Sequence, residues 1–254
     1  GVAATLEACR ILAQRKWPCT LKFVAFSGEE QGLLGSTALA RRAVEEGWQL
    51  EGVLSNDTVG SSGNLAGQEN AEQVRVFSED GESHQSRELA RAIEWFVRHD
   101  VQGFDVKLVL RRDRFGRGGD HTPFVQQNFN AVRFIEVHEE FTRQHTPDDL
   151  VEHMDFAYLA RVTQANVAAL ARLASSAVAP TEVRVVRDQG HDTTLTWEAT
   201  PGVAYVVYWR DTGSTEWQDA IAVGAANRHT VELVNKDDHF FAVGAVGGIP
   251  VPAE

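Results

Sequence analysis

The feature that most constrains the fold is a change in hydrophobic pattern near residue 177. Before it, segments with helical spacing of apolar residues alternate with short apolar runs typical of buried strands. Alternation of this kind predicts an α/β domain over residues 1–176, with a mixed β-sheet sandwiched between helices. The predicted helices cover residues 2–15, 36–46, 83–98 and 154–174, and the predicted strands cover residues 21–26, 50–57, 74–78, 105–110 and 131–136.

After residue 177 no segment has helical spacing, and short runs of alternating polar and apolar residues follow. Such a pattern predicts a small all-β sandwich domain over residues 180–254. Leu195 and Trp197 alternate onto one face, so we expect this tryptophan in the sandwich core. Turn residues separate the runs, which lie at 182–187, 193–198, 204–210, 216–223, 229–234 and 239–245.

Charge and hydrophobicity exclude several functions. Lys and Arg number 24 against 36 Asp and Glu, which gives a net charge of −12 and a pI near 5.2. This acidity argues against a general nucleic-acid binder and against docking on anionic membrane. No apolar run reaches the ~18 residues of a membrane-spanning helix, so we expect no membrane insertion. The first residues also lack the basic stretch of a signal peptide.

Several familiar motifs are absent from the sequence. His138-Glu139-Glu140 is not His-Glu-x-x-His, because position 142 is Thr, and a helix-borne zinc site of that kind is excluded. There is also no Gly-x-Ser-x-Gly turn and no phosphate-binding loop. Cys9 and Cys19 are too few for a disulfide framework, and we expect either two buried thiols or a single bridge.

Two adjacent carboxylates are the strongest single candidate for a functional site. Glu29 and Glu30 follow the predicted strand at 21–26, at the carboxyl end where open α/β sheets place their sites. Adjacent residues leaving a strand point in different directions, so one can bind a metal while the other takes a proton from water. Two neighbouring acids on a solvated loop are the alternative interpretation.

Two further segments carry candidate ligands. Asp57 ends the predicted strand at 50–57, and His145 lies in the loop after the predicted strand at 131–136. Together with Glu30 they offer two carboxylates and one imidazole, a donor set that suits zinc. A turn or capping role for Asp57 and a solvated His145 are the alternatives.

Taken in order, these segments resemble metallopeptidase family 28, the co-catalytic di-zinc aminopeptidases. The resemblance implies that Glu29 is the general base. Glu30 and His145 would bind one Zn²⁺ and Asp57 the other, two ions per site, with Asp120 and His121 at the rim. It covers residues 1 to about 175 and rests on Gly1–Glu7, Phe26–Ser36, Asp57–Gly60, Gly119–Phe124 and His145–Thr146.

Two departures from the family pattern matter. The family has a further histidine ligand and a bridging aspartate in a loop just ahead of a segment like Gly1–Ala3. The resemblance therefore implies that the catalytic domain here is incomplete at its N-terminus. Gln144 stands where many relatives have an aromatic residue before the histidine, which leaves open the group that assists the tetrahedral intermediate.

Four arginines lie between positions 111 and 117. One interpretation is a solvated strand end paired with nearby acids. The other is an anchor for a substrate carboxylate, formed by Arg114 and Arg117, because a guanidinium can bind a carboxylate through two parallel hydrogen bonds. Such an anchor would favour a carboxypeptidase or a dipeptidase.

The C-terminal domain resembles a fibronectin type III module through Leu195–Trp197, Tyr205–Arg210 and Phe240–Val246. Such modules accompany secreted bacterial enzymes, which implies a secreted or periplasmic protein. The whole sequence predicts a zinc-dependent exopeptidase, in the first place an aminopeptidase acting on peptides. The alternatives are a carboxypeptidase, dipeptidase or glutaminyl cyclase of the same fold, and a non-catalytic remnant without the upstream ligands. The sequence does not indicate an oligomeric state.

Overall fold

The computed structural model describes residues 1–79, 85–114, 116–187 and 190–254. Two compact units divide the chain, Gly1–Ala171 and Arg172–Glu254. The boundary expected from the sequence, between residues 176 and 180, lies just after the last helix. None of the helices in the described ranges is long and apolar enough to cross a membrane.

Helices and strands alternate along the first unit. A single 3₁₀ turn, Val151–His153, precedes the last helix, which extends four residues past the unit's end. Residues 83 and 84, the predicted start of the third helix, lie outside the described residues. The elements are α1 (Val2–Leu12), α2 (Leu34–Glu45), β1 (Val53–Asn56), β2 (Gln73–Phe77), α3 (Ser86–Asp100), β3 (Asp105–Val109), α4 (Thr122–Gln126), β4 (Ala131–Glu136) and α5 (Phe156–Ser175).

The four strands form one mixed sheet in the order β1-β4-β2-β3. β1 runs parallel to β4 and β2 runs parallel to β3, whereas β2 and β4 are antiparallel. All six residues of β4 are buried, so both faces of the sheet are covered at this strand. This arrangement confirms the predicted mixed α/β fold.

The amphipathic helix α3 shows how the core is assembled. Leu89, Ile93, Phe96 and Val97 recur at helical spacing and are all buried. The helix contacts β3 and β4, so this apolar stripe covers the sheet. The Tyr158 hydroxyl of α5 donates to the Gln73 carbonyl of β2 at 2.9 Å, which joins this helix to the sheet.

Two expectations about the first unit are wrong, and one helix was not predicted. Residues 21–26 do not form a strand, because a strand needs a hydrogen-bonded neighbour and no described segment pairs with this one. The short helix α4 was not predicted, since five residues cannot display a helical period. Cys19 is exposed and forms no disulfide with Cys9. The two cysteines are therefore neither a pair of buried thiols nor a disulfide bridge.

The second unit consists of two antiparallel sheets, β5-β6-β9 and β11-β10-β7-β8. Their inner residues form one core in which Trp197 packs edge-on against Tyr205, with ring centroids 5.9 Å apart. This confirms a small all-β domain with the tryptophan at its centre. The strands are β5 (Thr181–Val185), β6 (Thr193–Glu198), β7 (Tyr205–Asp211), β8 (Asp219–Gly224), β9 (Arg228–Val231), β10 (His239–Ala245) and β11 (Val251–Pro252).

Candidate active site

The parallel pairing of β1 with β4 brings two candidate segments to the same edge of the sheet. Asn56 pairs with Phe134, and the Asp57 N–H donates to the Phe134 carbonyl at 3.1 Å. Asp57 therefore leaves the sheet beside the end of β4. The segment that follows β4 leads to His145, so the two candidate ligands start from adjacent strand ends.

The segment with Glu29 and Glu30 folds into a tight turn before α2. The N–H of Leu33 donates to the Glu29 carbonyl at 2.8 Å, and the N–H of Gly35 donates to the Ser27 carbonyl at 3.0 Å. A Cβ at Gly35 would lie only 2.8 Å from that carbonyl oxygen, so the turn requires glycine there. This explains the glycines of the segment and fixes where the two carboxylates leave the chain.

Glu30 and His145 come together although 115 positions separate them in the sequence. The His145 Nε2 lies 2.8 Å from the Glu30 Oε1, and the two side chains are 72% and 63% exposed. His145 has a left-handed backbone with φ of 61°, and the half-buried Gln144 precedes it. One carboxylate and one imidazole thus meet at the surface, in contact distance of a common ligand.

Asp57 has a different partner. Its Oδ2 accepts a hydrogen bond of 2.6 Å from Arg133 of β4, whose side chain is 3% exposed. Arg133 also donates to Asp113 at 3.2 Å, so one buried guanidinium bridges two carboxylates. The charge of Arg133 is thereby matched by two acids, which is what a buried cation needs. Only one oxygen of Asp57 is engaged by this bond.

Glu29 lies in a concentration of negative charge. Burial raises its pKa above the usual range, and the nearby charges of Asp57, Glu30 and Asp120 raise it further, against the opposing charge of Arg133. Each of these effects penalises the ionised form. The structure thus puts a carboxyl group with increased proton affinity next to the segments that carry Glu30 and Asp57.

Asp120 and His121 lie between these acids and α4. Burial raises the pKa of Asp120, partly offset by a hydrogen bond with Ser36, and its Oδ1 has no partner among the described residues. Burial lowers the pKa of His121 to about 4, with Arg133 contributing in the same direction. His121 is therefore neutral at pH 7, and its Nδ1 also has no partner in the described parts of the chain.

Comparison with known proteins identifies the family. The profile of Peptidase family M28 matches residues 1–170, which is most of the chain and all but one residue of the first unit. The chain belongs to peptidase family M28.

Curated relatives of this M28 chain are named as probable zinc metalloproteases. One from Leptosphaeria maculans is 35% identical over 97% of this chain and 64% of its own length. One from Pyricularia oryzae is 36% identical over 97% of this chain and 56% of its own length. The chain therefore spans about 56–64% of the length of these relatives.

Two solved structures resemble the M28 unit. An aminopeptidase from Aneurinibacillus sp. strain AM-1 has 25% identity and a TM-score of 0.50, covering 66% of this chain and 37% of that one. The LapA aminopeptidase of Legionella pneumophila has 21% identity and a TM-score of 0.56, covering 69% and 45%. The second likeness shows the fold alone.

The residues of this M28 unit fit zinc in part. Glu30 and His145 are two donors of the right kind at one position, and structural or catalytic zinc takes three or four protein donors. Within the described ranges no group of three or more His, Cys, Asp and Glu could hold an ion. Asp57, bound to Arg133, does not join the Glu30–His145 pair. The zinc roles of these three residues stay predictions.

The two arginines singled out as a substrate anchor differ. Arg117 donates to both oxygens of Glu139 and lies 3.4 Å from Asp113, so its charge is already matched. Arg114 is exposed, with its guanidinium 5.2 Å from the ring centroid of Phe141. Phe115, in the same stretch, lies outside the described residues. Arg117 is thus paired with nearby acids, as the first interpretation expected. Of these two arginines, Arg114 has a guanidinium without an acidic partner among the described residues, so it could bind an incoming carboxylate.

Sequence reasoning missed the charged residues that hold the site together. Glu139 is buried, and Arg75 and Arg117 both donate to it; burial opposes its charged form, but these bonds outweigh burial and lower its pKa. Arg133 and Glu136 lie inside the buried strand β4. A signal was available: an Arg and a Glu within an otherwise apolar run must be paired if the run is buried.

Proposed function

We propose that this chain carries the catalytic unit of a zinc-dependent aminopeptidase that hydrolyses the N-terminal peptide bond of peptides, with Glu29 as general base. The observation that carries the proposal is the contact of 2.8 Å between Glu30 Oε1 and His145 Nε2, with the carboxyl group of Glu29 on the adjacent residue. A general base works best when its pKa lies close to the working pH, and burial and neighbouring acids shift Glu29 in that direction.

The roles in the reaction divide among few residues. Glu30 and His145 would hold one zinc and Asp57 a second. Zinc, when bound, supplies the polarisation that makes water a nucleophile at neutral pH. Glu29 takes one proton from the attacking water while the oxygen of that water bonds to the carbonyl carbon of the peptide. The same carboxyl group then delivers the proton to the leaving amine as the peptide bond breaks, so its charge is restored.

Asp120 supports an aminopeptidase over a carboxypeptidase. It lies within electrostatic reach of Glu29, has no assigned zinc role and keeps a buried oxygen without a partner among the described residues. A carboxylate in this place attracts the ammonium group of a peptide N-terminus and repels a substrate carboxylate. The second unit would serve as an accessory module, as its resemblance to fibronectin type III implies.

A Glu29→Gln variant tests the base. We expect kcat on an aminoacyl p-nitroanilide to fall by about 10²–10⁴-fold, because the amide cannot accept the proton. Zinc content, measured by mass spectrometry after zinc loading, should be unchanged. Glu45→Gln, at an exposed position of α2, removes the same charge and should behave like the parent chain. Full turnover by Glu29→Gln would refute the assignment.

Substrate chemistry separates the aminopeptidase from its alternatives. N-acetylation of the substrate should abolish cleavage, because it removes the ammonium group. Cleavage of the acetylated peptide at its C-terminal bond would instead indicate a carboxypeptidase. Release of ammonia from an N-terminal glutamine without peptide cleavage would indicate a glutaminyl cyclase. A folded chain that binds less than one zinc and cleaves nothing would be the non-catalytic remnant.

The position of Arg114 favours the alternative of a carboxypeptidase or dipeptidase. Its guanidinium is exposed beside Phe141, whereas Arg117 is already bound by Glu139. If Arg114 anchors a substrate carboxylate, Arg114→Ala raises KM for dipeptides and spares the matching dipeptide amides. Equal KM changes on both substrates would remove this alternative.

A further inference from the structure

Glu136, the last residue of β4, has a buried carboxylate that faces the backbone of two separate segments. The Ser61 N–H donates to its Oε2 at 2.8 Å, and its side chain is among the most buried charged groups of the unit, 4% exposed. The backbone N–H groups of Gly60 and Glu140 also face this carboxylate and act to lower its pKa. A single carboxylate can accept several such bonds, because two oxygens offer about four lone pairs.

These two segments are the ones that carry Asp57 and His145. Gly60 and Ser61 follow Asp57 within four residues, and Glu140 lies five residues before His145. A second bond joins the same segments, because the Glu140 Oε2 accepts the Leu65 N–H at 2.6 Å. The Glu136 N–H itself donates to the Thr58 carbonyl at 2.9 Å. Glu136 therefore stands at the junction between both site segments.

The surroundings of Glu136 contain charged groups from several elements. Arg75 of β2 donates to the Glu136 backbone carbonyl at 2.9 Å and to the Glu139 carboxylate, which also faces Glu136. Tyr158 of α5 also lies within electrostatic reach. Burial raises the pKa of Glu136 to about 7, although the Ser61 N–H opposes the rise. The carboxyl group therefore changes charge near neutral pH.

We propose that Glu136 is a positioning residue whose carboxylate ties together the segments behind Asp57 and His145 and so sets the geometry of the site. It touches neither substrate nor the reacting atoms, and it acts through the two backbone segments. Hydrogen bonds from N–H groups to a carboxylate are about twice as strong as those to a neutral acceptor. Proton uptake by Glu136 therefore weakens its bonds to both segments at once. The link to catalysis rests on the proposed function; the link to the two segments does not.

Hydrogen exchange of the whole chain tests the link to the segments. Peptides covering residues 58–65 and 137–142 are followed by mass spectrometry at pH 8 in the parent chain and in Glu136→Gln. We expect about tenfold lower protection of both segments in Glu136→Gln than in the parent chain, the ratio for about 1.4 kcal/mol of lost bonding. Glu45→Gln should match the parent chain.

The outcomes separate the two proposals. Full protection of both segments in Glu136→Gln at pH 8 would overturn the positioning role whatever the activity. If the exchange result holds, kcat/KM should lose its rise between pH 6 and 8 in Glu136→Gln, with an overall loss of about 10–100-fold at pH 8. An exchange effect in a chain that cleaves no peptide would refute the proposed function and keep the tie between the segments.

Discussion

Replacing Glu136 by Gln should make the first unit more stable at pH 8 even though it loosens the site. The pKa of Glu136 rises from 4.5 to about 7 because its carboxyl group is buried. In that pH range the folded chain holds a proton that the unfolded chain releases, so stability falls as pH rises. Each pKa unit is worth about 1.36 kcal/mol, so the loss amounts to about 3 kcal/mol above pH 7.

His121 has the opposite effect on stability. Burial lowers its pKa from 6.5 to about 4, so the unfolded chain binds a proton that the folded chain does not. Stability from this residue is present above pH 6.5 and is lost as pH falls towards 4, again by about 3 kcal/mol. Between pH 4.5 and 6.5 the slopes of Glu136 and His121 have opposite signs. We therefore expect the parent chain to show little net pH dependence from these two groups.

Glu136→Gln removes the pH dependence of stability that is due to Glu136 and leaves the one that is due to His121. Its free energy of unfolding should rise with pH from 4.5 to 6.5 and then stay constant, ending about 3 kcal/mol above the parent at pH 8. Urea unfolding followed by circular dichroism at 222 nm reports the first unit, because α1 to α4 and most of α5 belong to it. Parent and variant should coincide near pH 4.

Two outcomes would refute this reasoning. A Glu136→Gln variant that is less stable than the parent at pH 8 would mean that bonds from Ser61 and its neighbours outweigh burial. A variant with the parent's pH dependence would mean that Glu136 keeps an ordinary pKa in the folded chain. Glu45→Gln, which changes the same charge at an exposed site, should leave the free energy of unfolding within about 0.5 kcal/mol of the parent.

Three further predictions concern other parts of the chain. His121→Gln should reduce the loss of stability between pH 6.5 and 4 in the same urea assay, since no buried imidazole remains to be protonated. Arg117→Ala should lower the free energy of unfolding of the first unit by about 2 kcal/mol or more in thermal unfolding, because the buried Glu139 loses one of the two arginines that bind it. Arg112→Ala, which removes the exposed arginine of the pair with Glu79, should lower it by less than about 1 kcal/mol. Trp197→Ala should destabilise the second unit by about 3–5 kcal/mol in tryptophan-fluorescence unfolding and leave the 222 nm transition in place.

Part of this architecture follows from the sequence. Alternating helical and strand patterns predict the α/β unit because burial of apolar residues dictates their period, and Asp57 and His145 follow strands that are parallel neighbours. Leu195 and Trp197 face the second core for the same reason. In these cases a local pattern is sufficient, because the burial of each residue depends only on the face of the helix or strand on which it lies.

The remainder depends on contacts that no local pattern specifies. Residues 21–26 are apolar enough for a strand, but a strand forms only where a second chain segment offers its backbone. Arg133 contacts Asp57 and Asp113, and Glu136 contacts Ser61. The sequence of the strand does not indicate these partners. The sequence indicates that these charged residues are buried, but only the folded structure shows which residues they contact.

The pairing of β1 with β4 also determines when the site can form. Their first paired positions, Val53 and Ala131, are 78 positions apart, and β2, α3, β3 and α4 all lie in between. Long-range parallel pairing is a slow step in folding, because a large loop must close before its contacts stabilise it. The segments behind Asp57 and His145 meet only after β4 has been inserted between β1 and β2. A partly folded chain therefore holds separated acids and no assembled site, and the proposed peptide cleavage should be among the last properties acquired during folding.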